Sequence, residues 1–266
     1  MSARIVPLRL LPREGAGSPR ERPGGGPMLV ETIRAALRAH ADKAKAPAMQ
    51  AYMKSTMPFL GVPRPVLDRI VIDAVKLQPL ASTGELIEAM AALWRHARFR
   101  EERYAAIELP TCSRAHRVLI APALLPLVEE MIVTGAWWDH VDDLSGNVLA
   151  ELLRAYPADV KPRLSRWAKG GDMWLRRAAM LCQRKLRGAD FDAVLFYETV
   201  VASVGPKARF ADEFFIRKGI GWALRERSCA APDEVAAFCR EYDAQLSPLT
   251  KREALRVIAK RAAARR

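Results

Sequence analysis

Proline and glycine divide this chain into short helical lengths, and that division limits its fold more than any other feature. From Met28 onward, apolar residues recur at spacings of three and four. The pattern breaks only briefly, at Pro47, Gly61 to Pro65, Pro79, Pro110, Pro157, Gly170-Gly171, Gly188, Gly205-Pro206, Pro232 and Pro248. Several of these prolines suit the first turn of a helix, where the missing N–H costs nothing. No segment shows sustained two-residue alternation with β-branched enrichment. The expectation is an all-α chain of about twelve helices joined by short loops.

A loose repeat runs through these helices. Arg103, Asp142, Arg177, Lys218 and Arg252 occupy similar settings, and successive gaps are 39, 35, 41 and 34 residues. That is the period of a two-helix unit of the HEAT type, roughly 40 residues. Stacked pairs make a curved solenoid with one helix of each pair lining the concave side. The marked residues would then face one groove, with Asp142 as the lone anion among cations. A carboxylate there weakens adhesion to a phosphate backbone, so it asks for another purpose.

Residues 1–27 carry five arginines and five prolines and end in Gly24-Gly25-Gly26-Pro27. This composition cannot pack and is expected to be a disordered leader, with Met28 as a possible true start and 28–266 as a single domain. The formal charge is +13. The leader holds five Arg and two Glu, so the folded part keeps most of that excess. A globular chain this basic points to a polyanion, either nucleic acid or an anionic surface. No apolar run is long enough to span a bilayer and no secretory h-region is visible, so a cytoplasmic protein is expected. Cys112, Cys182, Cys229 and Cys239 form no CxxC pair, and no histidine stands at zinc spacing. They read as reduced thiols, and no metal site is expected.

Two stretches look able to carry chemistry. In 137–148, Trp137, Val141, Leu144 and Val148 form one apolar helix stripe, and Trp138, Asp142 and Ser145 form a second, rotated by about 100°. The core claims the first stripe and leaves Trp138 beside Asp142, either as a working edge or as ordinary helix surface. In 212–227, Ile216, Ile220 and Ala223 point inward, while Lys218, Trp222 and Arg225 put an indole between two cations. Such a trio can hold phosphate and sugar, or be a solvated rim over a core tryptophan. Trp174, Ala178 and Leu181 point inward on the helix between, with Arg177 and Arg184 aligned on another face. Arg177 suits bidentate phosphate contact or an intramolecular salt bridge.

Seven blocks in order make the sequence resemble the AlkD-like family of DNA alkylation repair enzymes, which are HEAT-like-repeat alkylpurine DNA glycosylases. They are Ala51-Tyr52-Met53-Lys54, Pro58 to Pro63, Arg100 to Ala106, Trp137 to Asp142, Trp174 to Ala179, Phe214 to Glu226 and Leu246 to Ala254. The resemblance covers nearly everything after Met28. It implies a right-handed α-solenoid cradling duplex DNA in its concave face. No cofactor is expected, and a monomer is expected because single-chain solenoids often are monomeric. The resemblance implies that Asp142 is the catalytic carboxylate, that Trp138 and Trp222 share its pocket, and that Arg177 anchors phosphate. Tyr52 matches a family aromatic near the DNA, and Lys54, Lys218, Arg225, Lys251 and Arg252 are the other expected DNA contacts. The implied reaction is hydrolysis of the N-glycosidic bond of 3-methyladenine or 7-methylguanine, without lyase activity. A non-catalytic DNA-binding relative and a protein-interaction scaffold are the alternatives. Two positions depart from the family. His140 stands where a small polar residue is common, and Asp143 adds a carboxylate that could shift its neighbour's pKa or simply face solvent. A carboxyl of Asp142 turned from the hollow, or neutralised in a closed internal ion pair, would remove the enzyme reading.

Overall fold

The structure, a computed structural model, describes residues 25–264. Among them the chain is all-α, with no strand. The α-helices in order are α1 (Gly25–Ala39), α2 (Ala46–Met53), α3 (Arg64–Leu77), α4 (Thr83–Arg95), α5 (Arg100–Glu108), α6 (Arg114–Arg117), α7 (Leu125–Gly135), α8 (Trp138–Asp143), α9 (Ala150–Ala155), α10 (Pro157–Lys169), α11 (Met173–Leu181), α12 (Ala193–Val201), α13 (Phe214–Ser228), α14 (Pro232–Glu241) and α15 (Pro248–Ala263). The starts follow local chemistry. Pro157, Pro232 and Pro248 each open a helix. The side chains of Ser82, Asp172 and Ser247 accept from backbone N–H groups of the first turns of α4, α11 and α15, groups that have no intrahelical partner.

Two rows of helices form an α-solenoid. Along one row α5 packs on α8, α8 on α11, α11 on α13 and α13 on α15. Behind them α4 backs α5, α7 backs α8, α10 backs α11 and α14 backs α15. The row helices begin at residues 100, 138, 173, 214 and 248, hence at intervals of 38, 35, 41 and 34. That is the period read from the sequence. The core between the rows falls into two clusters: a large one, in which Leu29, Leu86, Ile107, Val128, Val141 and Leu164 are all shut from water, and a smaller one toward the C-terminus built on Phe196, Ile216, Ile220, Leu224 and Val235.

Three details differ from expectation. There are more helices than about twelve, because α6 is a single turn and one rod is divided. That rod runs from Trp138 to Ala155, and its middle, Leu144–Leu149, is π-helical. Finally, Gly25, Gly26 and Pro27 were expected in the leader but form the first turn of α1. The expectation for residues 1–24 lies outside the described residues.

Candidate functional site

The row helices place the two tryptophan stretches on facing walls of one open cleft of about 570 Å³. Its lining includes Tyr52, Trp138, Asp142, Arg177, Lys218 and Trp222. On the α8 wall, Val141, Leu144 and Val148 are fully buried, as the apolar stripe requires. Trp137 is the residue before α8, half-buried against Trp174 and Phe215. Trp138 is left on the cleft side, edge-on to Tyr52 with ring centroids 6.4 Å apart. Tyr52 is 74% exposed at the mouth.

Asp142 lies in the wall with 7% exposure. Arg177 of α11 meets it bidentately, Nε to Oδ1 and Nη2 to Oδ2, both at 2.8 Å. A further Arg177 N–H goes to the Phe215 carbonyl. Arg177 therefore spends its fork inside the protein, the salt-bridge alternative that its position allowed, and not on an outward phosphate site. The pair is not sealed, because both residues line the cleft. Burial pushes the Asp142 carboxyl above the ordinary aspartate range, and the Arg177 charge pulls the other way.

The α13 wall carries Lys218, Trp222 and Arg225, as their spacing implied. Their cations do not stand free. Lys218 Nζ lies 2.8 Å from Glu253 Oε1, and Arg225 bonds Oε2 of the same carboxylate. The hydrogen bond from Lys218 is the main reason that the Glu253 carboxyl sits below its usual range. Trp222 donates its indole N–H to Glu226 at 3.0 Å.

The sequence marks missed on α15. Lys251 pairs with Asp243 and Arg252 is exposed, and neither lines the cleft. Glu253 and Arg256 take that place. The cause is the close approach of α15 to α13. A Cβ at Gly221 would fall 2.7 Å from Glu253 Cβ and 3.0 Å from the Thr250 carbonyl. That contact fixes the rotation of α15 and turns 253 and 256, one turn apart, into the hollow. Lys54 also lies outside the lining, as the left-handed residue that ends α2. Phe214, 55% exposed at the start of α13, is a lining residue that the sequence pattern did not single out. Its signal was an aromatic beside a core aromatic at a helix start.

The two departures also find places. Asp143 is held by Arg64, which also binds Asp68 and Glu108, and it does not line this cleft. His140 is fully buried in an aromatic box, with Trp94 and Tyr104 centroids at 5.0 and 5.5 Å. Burial drives its pKa down to about 4. Next to His140, Asp139 accepts two hydrogen bonds from Arg100 N–H groups, at 2.7 and 2.9 Å, and one from the Tyr104 hydroxyl. This buried knot fixes α8 to α5 and so sets where Trp138 and Asp142 stand.

A family profile described as DNA alkylation repair enzyme matches residues 33–258. The chain belongs to the DNA alkylation repair enzyme family. Among solved structures it is similar to one described as a "predicted DNA alkylation repair enzyme" from Enterococcus faecalis. The identity is 26%, the TM-score is 0.66, and the match covers 83% of this chain and 98% of that one. No curated protein matches. Family membership assigns this chain a role in DNA repair, with DNA as its partner. All seven sequence blocks lie within the matched span, and so do all the residues that line the cleft. No helix among the described residues is long and apolar enough to cross a membrane.

Proposed function

We propose that this repair-family member is a monofunctional DNA glycosylase, active as a monomer in the cytoplasm on duplex DNA, that removes cationic N3- or N7-alkylated purines such as 3-methyladenine and 7-methylguanine. The observation that carries it is one carboxylate, Asp142, sharing an open cleft with two indoles, four cations and one further carboxylate. Alkylation makes the base a cationic leaving group, and its departure leaves positive charge on the sugar, as in glycoside hydrolysis. Asp142, ionised, would face that charge and orient or deprotonate the attacking water. Arg177 uses one acceptor position on each carboxylate oxygen, out of roughly four on the group, so acceptor capacity remains for water and sugar. The faces of Trp138 and Trp222 favour the same cationic sugar through their quadrupoles. Tyr52 and Phe214 at the mouth suit contact with the backbone flanking the lesion.

The open shape suits attack from the sugar edge with the lesion left stacked, unlike enzymes that extrude a base into a closed pocket. Lys218 is the one lysine in the lining, and its ammonium is held by Glu253. Borohydride treatment during turnover is expected to trap no covalent adduct.

The ion pair favours a second reading, a DNA-binding relative without chemistry, because a paired carboxylate offers less net charge to the sugar. The test is release of free purine from alkylated duplex by wild type and Asp142→Asn. Release by wild type, reduced about a hundredfold or more in the variant with duplex binding kept, is the expected result. Tight binding without release by wild type supports the second reading. Equal release by the variant removes Asp142 from the chemistry. No preference for DNA at all would indicate a protein scaffold.

A further inference from the structure

Arg184 lies outside the cleft lining, yet it touches both halves of the site. Its Nη2 donates to the Asp142 backbone carbonyl at 3.0 Å. Its guanidinium lies over the Trp222 ring, 4.8 Å from the centroid. The seat is made by Gly146, where an added Cβ would fall 2.4 to 2.7 Å from Nη2, Cζ and Nε of the guanidinium. Gly146 stands in the π-helical stretch that begins two residues after Asp142. A π turn widens the helix and disturbs its carbonyl ladder, which gives an outside donor access. The burial is costly. Arg184 Nε is buried without a partner, and desolvation, ahead of nearby charges, lowers its pKa. A guanidinium held so in a π turn, against a residue of the opposite wall, suits a role in alignment.

We propose that Arg184 is a positioning residue for base excision: by bonding the Asp142 carbonyl and lying on the Trp222 ring, it fixes the separation between the carboxylate on α8 and the indole on α13. Its importance for turnover rests on the glycosylase reading above, whereas the alignment itself does not. Trp222 is tethered at a second point by Glu226, so losing Arg184 frees the ring without releasing it. The carboxylate keeps Arg177.

Two variants test this independently. Arg184→Met removes the charge and the hydrogen bond. Gly146→Ala keeps Arg184 but fills its seat. The clash falls on the far end of a flexible side chain, so the fold is expected to survive. Both are expected to lower kcat for 7-methylguanine release by about ten- to a hundredfold, the range for sub-ångström to one-ångström misplacement. KM and duplex affinity are expected to stay unchanged, and Arg184→Lys to regain part of the rate. The double variant should be no slower than the worse single one, since both break the same contact. Trp222 emission, isolated by subtracting spectra of matched Trp222→Phe proteins, should change in both single variants. Wild-type kcat in Gly146→Ala, or losses that multiply in the double variant, would overturn the proposal. If wild type releases no base, the glycosylase reading fails by itself. The emission then decides the alignment: a change in both variants keeps it, and no change overturns it.

Discussion

The two walls of the cleft each hold a paired carboxylate, Asp142 with one cation and Glu253 with two, and the two carboxylates are shifted in opposite directions. Asp142 lies in the α8 wall, its partner Arg177 is also buried, and desolvation raises its pKa. Glu253 is covered by the side chains of Lys218 and Arg225, which keep 38% and 20% of their surface in water, and its pKa falls. The two carboxylates are buried alike, at 7% and 8% exposure, so the difference lies in the cations: Arg177 is a fixed component of one wall, whereas Lys218 and Arg225 are partly open to water. A buried guanidinium cannot leave its carboxylate without stranding a charge, whereas a partly exposed cation can turn toward water or phosphate at less cost.

Breaking the buried clasp should have the largest effect. Arg177→Met strands the Asp142 carboxylate, so stability at pH 7 should fall by about 3–5 kcal/mol in a denaturant titration. Under the glycosylase reading, the acid limb of base release is expected above the ordinary aspartate range in wild type and higher still in this variant. A loss under ~1 kcal/mol would make the two clasps alike.

The depth of the α8 wall can be read from His140. Its folded pKa of about 4 lies below the ordinary 6.5, so its stabilising contribution is fully present above pH 6.5 and is lost as pH falls toward 4. The full loss corresponds to about 3 kcal/mol. His140→Phe should flatten stability against pH in that window, and an unchanged slope would mean that another group governs it.

On the α13 side, Glu253→Gln should release two cations to the DNA. Duplex affinity should rise severalfold at low salt, and the slope of log K against log salt should steepen by up to about two, roughly one for each freed cation that meets a phosphate. An unchanged slope would show that Glu253 does not hold the cations back from phosphate. The smallest effect is expected from Arg252→Ala. Because that side chain is turned from the cleft, affinity and salt slope should match wild type, and a loss would restore the sequence-based assignment.

Much of this was legible in the sequence, because helices report themselves through local spacing. Val141, Leu144 and Val148 are core because they recur at three and four, and Trp138 with Asp142 is left at the cleft by the same arithmetic. The interval between row helices was legible too, since each repeat is one supersecondary unit. The family resemblance then placed the blocks in one fold. What spacing could not give was rotation and partnership. Whether 252 or 253 faces the hollow depends on how closely α15 lies against Gly221. Whether Arg177 reaches for phosphate or for Asp142, and whether Lys218 stands free or under Glu253, depends on side chains 35 residues away in each case. Charges are placed by their surroundings in three dimensions, because the cost of burying one is settled only by what it finds there. The sequence determined an all-α repeat and named one carboxylate and two indoles for its groove; the tertiary structure alone decided which cation stands against that carboxylate.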